Sequence, residues 1–333
     1  MGSASRKMSS DHLQKKYSRR AHHAGSWYSD DEATLDRELD GYLQVAAAND
    51  SNNNASSHSS SPLRGVICPH AGYSYSGPTA AYSYHHLKQE LAREDSPITT
   101  ILVLHPSHHV YLDGCSVSGA NEIETPVGNM SVSEELRQEI FGLGERLFNV
   151  MQQSVDEAEH SGEMQYPYIA KILNDTNKID SIKVLPVMCG SLSTTKEAEY
   201  GKLLAPIIAR KEVLCVISTD FCHWGRRFSY QPTPTAEDKS IPIHEFIQQL
   251  DQQGMDHISM QEPGAFAEYL KTTKNTICGR HAVQVWLHAV KINNNPDQDE
   301  VTVEFVKYAQ SSPAKSMRDS SVSYASAVAR RRS

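Results

Sequence analysis

Histidines follow two hydrophobic segments, residues 63–68 and 98–104, that have the length and composition of buried β-strands. His70 comes shortly after the first segment, and His108 comes shortly after the second. A neutral imidazole is the commonest metal ligand in proteins, and ligands from separate strand ends hold a cation rigidly. This spacing favours His70 and His108 as metal ligands, with His109 as the alternative to its neighbour. The other interpretation, in which each histidine bonds to backbone at a strand end, stays open.

Cys278 offers a different kind of metal ligand. It precedes Gly279 and a predicted helix at 280–290, and a helix N-terminus stabilises the thiolate form that binds metals. Spacing alone nevertheless favours a small buried side chain, which is the usual state of a free cysteine. The thiol is also able to pair as a nucleophile with a strand-end histidine or with His281, so a cysteine hydrolase is a further alternative.

Asp220 and His223 follow a third predicted strand, residues 213–218, and are three positions apart. If this segment forms a helical turn, both side chains face the same way, and the carboxylate can orient the imidazole or exchange a proton with it. These two residues are therefore the candidates for acid–base catalysis. In the structural alternative, Asp220 caps the turn that follows it and His223 packs under Trp224.

A fourth polar cluster contains Glu159, His160, Ser161 and Glu163, and it precedes or begins a predicted helix at 163–174. His160 and Glu163 are candidates for a further metal ligand or a substrate contact. A capping box beginning at Ser161 explains the same residues, because a hydroxyl followed by acidic residues is typical of a helix N-terminus.

The elements that position these residues alternate between strands and helices. Short β-branched segments predict strands, and amphipathic segments between them predict helices. The predicted strands are residues 63–68, 98–104, 182–188, 213–218 and 301–306, and the predicted helices are residues 31–45, 78–91, 163–174, 196–209 and 280–290. This alternation predicts a single α/β domain with a mostly parallel or mixed central sheet flanked by helices. Ligands bind such sheets outside the carboxyl ends of the strands, where the histidines lie.

The composition argues against several classes of function. The 333 residues contain 32 Lys and Arg against 40 Asp and Glu, and the formal charge of -8 gives nucleic-acid binding little electrostatic support. No apolar run is long enough to span a bilayer, so no membrane role is expected. Six cysteines scattered through a chain of this length predict reduced thiols, in the cytoplasm or also in the nucleus.

Three polar segments are predicted to lie outside the packed domain, which then spans residues 19–328. Residues 1–18 form a predicted flexible N-terminal tail, and residues 329–333 form a predicted basic C-terminal tail. The Ser- and Asn-rich residues 48–61 contain almost nothing that can be buried, which predicts a surface loop inserted between a helix and a strand.

Seven motifs occur in the order expected for one known family. They are HAGSWY from His23, PHAGY from Pro69, PSHH from Pro106, EHS from Glu159, STDFCHWG from Ser218, TICG from Thr276 and YAQSS from Tyr308. Together they resemble the Memo family, named for mediator of ErbB-driven cell motility, and the similarity runs from about residue 23 to residue 324. The resemblance implies a fold similar to that of the class III extradiol dioxygenases, which are non-haem iron enzymes that open catechol rings.

The resemblance also implies a metal-binding triad. His70, His108 and Cys278 match the two histidines and one cysteine of the Memo pattern, which implies one iron or copper ion per chain. Asp220 and His223 match the remaining polar pocket positions. The resemblance thus reverses what spacing alone favours for the cysteine. Because a soft thiolate replaces the dioxygenase carboxylate, ring-cleaving activity is not expected, and a copper- or iron-dependent oxidoreductase is the enzymatic hypothesis.

The same resemblance implies roles in redox and metal homeostasis and in cytoskeletal or motility signalling. Its non-catalytic alternative is a scaffold that binds a phosphotyrosine peptide or a signalling or cytoskeletal protein. Tyr73, Tyr75 and Trp27, with Arg226 and Arg227, are the residues expected to line such a groove, since arginine pairs with phosphate. The sequence does not identify a small-molecule substrate.

Two positions depart from the family pattern. His105 stands where a glycine is common and adds an imidazole close to the site, whereas Gly162 stands where a bulky apolar residue is usual. A glycine near a helix start weakens the helix by up to about 1 kcal/mol. Neither departure removes a proposed metal ligand.

Overall fold

A computed structural model of the protein describes residues 17–52, 61–144, 147–234, 241–294 and 300–331. The strands are β1 Ser18–Arg19, β2 Leu63–Cys68, β3 Thr100–Pro106, β4 Cys115–Val117, β5 Glu122–Ile123, β6 Met130–Ser131, β7 Phe148–Val150, β8 Lys183–Cys189, β9 Val213–Ser218, β10 His223–Trp224, β11 Val301–Gln310 and β12 Ser321–Arg331. The helices are α1 Glu32–Asn52, α2 Tyr73–Ala92, α3 Glu134–Leu143, α4 Gln153–Ala158, α5 His160–Glu163, α6 Tyr166–Asp175, α7 Thr194–Ile208, α8 Ile243–Ser259, α9 Pro263–Thr273 and α10 Arg280–Asn293.

Most strands join one mixed sheet in the order β10-β12-β2-β9-β3-β8-β4-β7, with β11 also paired to β12. The central strands β2, β9, β3 and β8 are parallel, whereas β12 and β4 pair antiparallel on either side of them. Helix α2 packs on β2 and β12, and α10 packs on β3 and β9. Every residue of β9 is buried, as expected for a strand covered on both faces. The prediction of a single α/β domain with a mixed central sheet is confirmed.

The predicted strands recur in the structure with small shifts. Residues 63–68 and 213–218 match β2 and β9, and the strand predicted at 301–306 continues to Gln310 in β11. The helix predicted at 163–174 is divided, because α5 ends at Glu163 and α6 begins at Tyr166. Pro167 lies in the first turn of α6, where its missing N–H breaks no intrahelical bond.

Strand β12 is not predicted from its sequence, although it lies between β2 and β11 inside the sheet. Its residues are mostly serine and alanine, which give little hydrophobic signal but fit a tightly packed interior. The strand extends to Arg331, so residues 329–331 of the predicted C-terminal tail belong to β12. Ala329 and Arg330 are both buried within the sheet.

The other predicted polar segments lie largely outside the described residues. Residues 1–16 of the predicted N-terminal tail are not described, and Ser18 pairs with β5 as part of β1. Of the predicted loop at 48–61, residues 48–52 belong to α1, and residues 53–60 are not described. Among the described helices, none is both long and apolar enough to cross a membrane.

Candidate metal site

Three neighbouring parallel strands deliver polar side chains to one edge of the sheet. His70 follows β2, Asp220 follows β9 and His108 follows β3, and β9 lies between the other two strands. The strand ends open into a cleft of about 820 Å³, which all three side chains line. The sheet topology therefore brings residues from distant parts of the sequence to one place.

The surroundings of His70 determine which ring nitrogen is free to bind. Its Nδ1 lies 2.8 Å from the Ser218 hydroxyl, which donates its only proton to the Ser161 carbonyl oxygen at 2.8 Å. Because that proton is used, the hydroxyl can only accept from its other neighbours, which are the Gln165 amide and the Nδ1–H of His70. Nε2 of His70 then carries a free lone pair, 3.0 Å from Sγ of Cys278.

His108 is oriented by a buried carboxylate. Glu159 accepts a hydrogen bond from the backbone N–H of His108 at 2.6 Å and from its ring Nδ1 at 2.8 Å. Metal-binding histidines commonly donate their second ring N–H to a carboxylate in this way. The His108 ring lies edge-on to the His70 ring at a centroid distance of 5.2 Å, and it interacts electrostatically with the Cys278 thiol.

The imidazoles of the site differ in charge state. Burial, with His108 nearby, lowers the pKa of His70 well below its ordinary value and lowers that of His160 to about 3. Burial also lowers the pKa of His108, but hydrogen bonds to Cys278 and Glu159 outweigh it and raise the pKa to about 10. Against the effect of burial, the hydrogen bond from His108 lowers the pKa of Glu159. Two neutral rings therefore lie beside one imidazolium, which would have to lose its Nε2 proton to bind a cation through that nitrogen.

Cys278 reaches the cluster because Gly279 lets the chain pass close to the end of β9. A Cβ on Gly279 would lie 2.3 Å from the Ser218 carbonyl oxygen, so a larger residue would push the segment away. Burial raises the pKa of the Cys278 thiol, and the hydrogen bond with His108 offsets this only in part. The close approach of this segment is thus what makes the thiol available as a ligand.

The segment from Asp220 to His223 does not form the helical turn that would align the pair. Asp220 accepts a hydrogen bond from the backbone N–H of His70 at 2.8 Å, and its own N–H points at Cys278 Sγ from 3.4 Å. Burial raises the pKa of Asp220. His223 begins β10, and its ring Nδ1 lies 2.9 Å from the Phe221 carbonyl oxygen. Both side chains nevertheless line the cleft, and Asp220 caps the turn at His70 rather than the turn after itself.

His160 provides a third imidazole from α5 rather than from a strand end. Its ring stacks on His108 at a centroid distance of 4.5 Å and lies 4.5 Å from the ring of Trp27. Among the described residues, its buried Nδ1 has no hydrogen-bond partner. The nearest carboxylate oxygen, on Glu159, is 3.6 Å from this nitrogen, so a ligand that reached it would supply the missing partner.

Two overlapping sets of side chains are close enough to share one ion. The ligand atoms of His70, His108 and His160 lie within 4.8 Å of one another, and so do those of His70, Asp220 and Cys278. Imidazole and thiolate donors suit iron, copper or zinc, whereas calcium and magnesium prefer oxygen. The donor set therefore fits a transition-metal ion, with His70 common to both sets.

Two predicted pocket residues, Glu163 and Tyr73, lie away from the cleft. Glu163 is buried and accepts hydrogen bonds from Arg19, Tyr28 and both the backbone and ring of His23. Its oxygens are thus occupied by donors of this chain, so it is not free to bind a metal. Tyr73 is buried in the core, where its hydroxyl donates to a backbone carbonyl.

Two other predicted residues, His281 and His109, also lie outside the cluster. The ring of His281 is held by Glu197 on α7 at 2.6 Å, so the imidazole beside Cys278 is that of His70 instead. His109 is exposed and makes only an edge contact with the ring of His160. The structure places the ring of its neighbour His108, not that of His109, against the thiol.

His105 and Gly162, the two departures from the family pattern, are in contact with each other. A Cβ on Gly162 would lie 3.1 Å from the His105 ring and 2.6 Å from the Tyr166 hydroxyl. The large side chain at 105 therefore occupies the space beside the small residue at 162. His105 is buried behind the cleft, with its Nδ1 near Ser161, and does not line the cleft.

Two parts of the site are not predicted from the sequence. Glu159 adjoins His160 in the chain, and this adjacency is the only sequence signal of its role as the partner of His108. The outer wall of the cleft comes from the ends of β11 and β12 and contains Ser311, Ser312, Ser320, Val322 and Tyr324. The YAQSS motif marks part of this wall, but its location depends on the unpredicted strand β12.

Comparison with known proteins identifies the family. The model of the Memo-like protein family matches residues 19–328. Protein MEMO1 of Xenopus laevis is 40% identical over 309 residues, and human Protein MEMO1 is 37% identical over 307; each alignment covers 92% of this chain and 95% of the relative. The Protein memo-1 homolog of Caenorhabditis elegans is 39% identical over 94% of this chain and 83% of its own.

A crystal structure of an uncharacterised Escherichia coli K12 protein superposes with a TM-score of 0.45 at 15% identity, covering 79% of this chain and 98% of that one. The family assignment does not depend on this superposition, because the family model covers almost the whole described chain. The seven motifs, their order and the extent of the match agree. The chain belongs to the Memo-like protein family.

Proposed function

We propose that the protein binds one iron or copper ion through His70, His108 and Cys278 and acts in redox and metal homeostasis. The observation that carries this proposal is the 3.0 Å separation of Cys278 Sγ from His70 Nε2, beside the carboxylate-oriented ring of His108. Soft sulfur with imidazole nitrogen suits these two metals, and the proposed redox role requires a metal that exchanges single electrons, which zinc does not. His160 is the nearest additional nitrogen ligand.

The residues around the ion divide the remaining work. Ser218 holds the His70 ring with Nε2 free, and Glu159 holds Nδ1 of His108, whose Nε2 would bind the ion after losing its proton. The raised pKa of Asp220 suits it to hold a proton beside the cleft, and His223 offers a second proton-exchanging group on the same wall. These two residues are the proposed acid–base pair of an oxidoreductase.

The metal content of purified protein tests this function. Chain purified without chelators is expected to contain about one equivalent of iron or copper, and His70→Ala and Cys278→Ser are expected to lose most of it. His109→Ala is the matched control, since this exposed neighbour should leave the metal content unchanged. Equal metal content in all four proteins would contradict the proposal.

The family resemblance extends the proposal to cytoskeletal or motility signalling in the cytoplasm or nucleus. All six cysteines are free thiols in the structure, which suits a reducing compartment. Microscopy of the tagged full chain checks this location, and accumulation in a secretory compartment would contradict it.

A phosphotyrosine-binding scaffold is the second candidate function. Arg227 lines the cleft together with Trp27 and the exposed Tyr75, which provides a cation beside aromatic surfaces. Arg227→Gln should weaken binding of a tyrosine-phosphorylated peptide, whereas Arg226→Gln, next to it but outside the cleft, should not. Equal binding of phosphorylated and unphosphorylated peptide would exclude this function.

A cysteine hydrolase is supported by the distance between Cys278 and His70 but not by their charge states. Burial raises the pKa of the thiol and lowers the pKa of the imidazole, so the thiolate–imidazolium pair of an activated nucleophile is disfavoured. Alkylation of Cys278 should therefore leave any esterase or amidase activity unchanged. Loss of such activity on alkylation would favour the hydrolase instead.

A further inference from the structure

Two cysteines outside the cleft, Cys115 on β4 and Cys189 on β8, lie directly opposite each other in the sheet. The strands are antiparallel here, and the backbone N–H of Gly190 donates to the Gly114 carbonyl oxygen at 2.9 Å. This bond flanks the cysteine pair rather than joining it, so the two residues form a non-hydrogen-bonded pair. In such pairs the Cα atoms are about 4.5 Å apart, within the range of about 4.4–6.8 Å that a disulfide spans.

The two side chains also face each other. Residues directly opposite on an antiparallel pair project to the same face of the sheet, so the side chains of Cys115 and Cys189 lie side by side on one face. Both residues are buried, with Cys115 at 0% and Cys189 at 1% exposure. The pairing register of the strands thus already places the two cysteines where a disulfide can form.

The other buried cysteines of the sheet lack this arrangement. Cys68 pairs with Ser218, and Cys215 pairs with Gly65 on one side and Leu102 on the other. Within the described sheet, the opposition of two thiols is therefore confined to β4 and β8. Cys215 has the same burial without an opposed thiol, which makes it a matched control.

We propose that Cys115 and Cys189 form a reversible cross-strand disulfide when the protein reacts with a peroxide. One sulfur attacks a peroxide oxygen, the O–O bond breaks, and the sulfur becomes a sulfenic acid. The other peroxide oxygen leaves as water. The second sulfur then displaces the sulfenic hydroxyl, which takes up the thiol proton and leaves as a second water. Two thiols and hydrogen peroxide thus yield one disulfide and two waters, and a thiol reductant reverses the bond.

The position of the pair explains how a buried thiol meets the oxidant and what the bond would fix. β4 and its neighbour β7, the edge strand of the sheet, have three residues each, and short edge elements open before the core does. The loop that carries His108 leads into β4. The end of this loop is already held beside β8, because the Leu112 and Gly114 carbonyl oxygens accept hydrogen bonds from the backbone N–H groups of Ser191 and Gly190. The disulfide would clamp that end of the loop to the sheet.

Peptide mapping of the full-length protein tests the proposal. The protein is treated with hydrogen peroxide, unfolded, alkylated and digested without reductant. We expect a linked peptide pair containing Cys115 and Cys189 that disappears after dithiothreitol. Cys115→Ser and Cys189→Ser should each abolish it, and Cys215→Ser should retain it.

Cys278→Ser should also retain the link, because the pair does not depend on the proposed metal site. Loss of metal with retention of the link therefore separates the two proposals. Full alkylation of Cys115 and Cys189 after peroxide, a link to any other cysteine, or sulfinic acid at either position without a link would overturn the inference. The wild-type map alone decides these outcomes, even if a serine variant fails to fold.

Discussion

The protein contains two polar clusters, one fully buried and one opening into the cleft, that differ in how their charges are satisfied. In the Arg19 cluster, one buried guanidinium pairs with Asp156 at 2.9 Å and with Glu163 at 2.8 Å. In the cleft cluster, the neutral rings of His70 and His160 and the Cys278 thiol lie beside the His108 imidazolium, which, unlike a guanidinium, can give up its proton to an incoming cation. The first cluster is complete within the chain, whereas in our proposal a metal ion completes the second.

This difference explains why Glu163 and Glu159 have different roles although both are buried near His160. Each carboxylate accepts bonds from a histidine ring and backbone, His23 for Glu163 and His108 for Glu159. Only Glu163 also has an arginine partner. Glu163 is thus neutralised by a permanent cation, whereas the imidazolium that pairs with Glu159 would give up a proton to a bound metal.

Replacing Arg19 by methionine is the strongest test of a self-contained cluster. The change leaves two buried carboxylates unpaired, so the free energy of unfolding should fall by about 3–5 kcal/mol. Urea denaturation measures this, and the metal content per folded chain should stay unchanged. Arg20→Met is the matched control, because the Arg20 side chain is 69% exposed and solvent screens its pairing with Glu157, so the free energy of unfolding should change little. Equal losses for both arginines would contradict the distinction between the clusters.

The contact between His105 and Gly162 lies behind the cleft cluster and tests its packing. Gly162→Leu should lower the free energy of unfolding by up to about 3 kcal/mol, because its side chain collides with His105 and Tyr166. The double variant with His105→Gly should recover part of that loss, since it vacates the space. Denaturation of the two single variants and the double variant gives the coupling energy, and strictly additive losses would show that the two positions do not share space.

Glu159→Gln tests whether the cleft cluster depends on its carboxylate. Losing the charge that orients His108 should weaken iron or copper binding about 10- to 100-fold, as measured by competition with a chelator. Glu163→Gln is the matched control, because it is equally buried but belongs to the Arg19 cluster. An equal loss of metal affinity in both variants would mean that the two clusters act as one.

Tyr28→Phe should produce the smallest change. It removes one hydrogen bond of 2.8 Å to Glu163, which keeps its other donors, so the free energy of unfolding should fall by about 1 kcal/mol. Metal affinity should not change. Tyr111→Phe, at an 83% exposed position, serves as the control and should have no effect. A lower metal affinity in Tyr28→Phe would connect the two clusters.

The strand-end histidines show how far sequence patterns reach. Hydrophobic periodicity locates β2, β3 and β9, and parallel topology requires their carboxyl ends to share one edge, so His70, His108 and Asp220 are predictable together. The pattern does not find β12, because its serines and alanines are buried through contacts with β2 and β11 rather than by their own hydrophobicity. The serine-lined wall of the cleft is missed for the same reason.

The sequence by itself determined the α/β class, the family and the edge of the sheet where the polar side chains gather. Only the tertiary structure decided that Glu163 belongs to Arg19, that Glu159 orients His108, and that Cys115 faces Cys189. The physical reason is that sequence spacing specifies local conformation and strand direction. Which buried charge meets which partner depends on distant segments, such as Arg19 against Asp156, that meet only when the chain is packed.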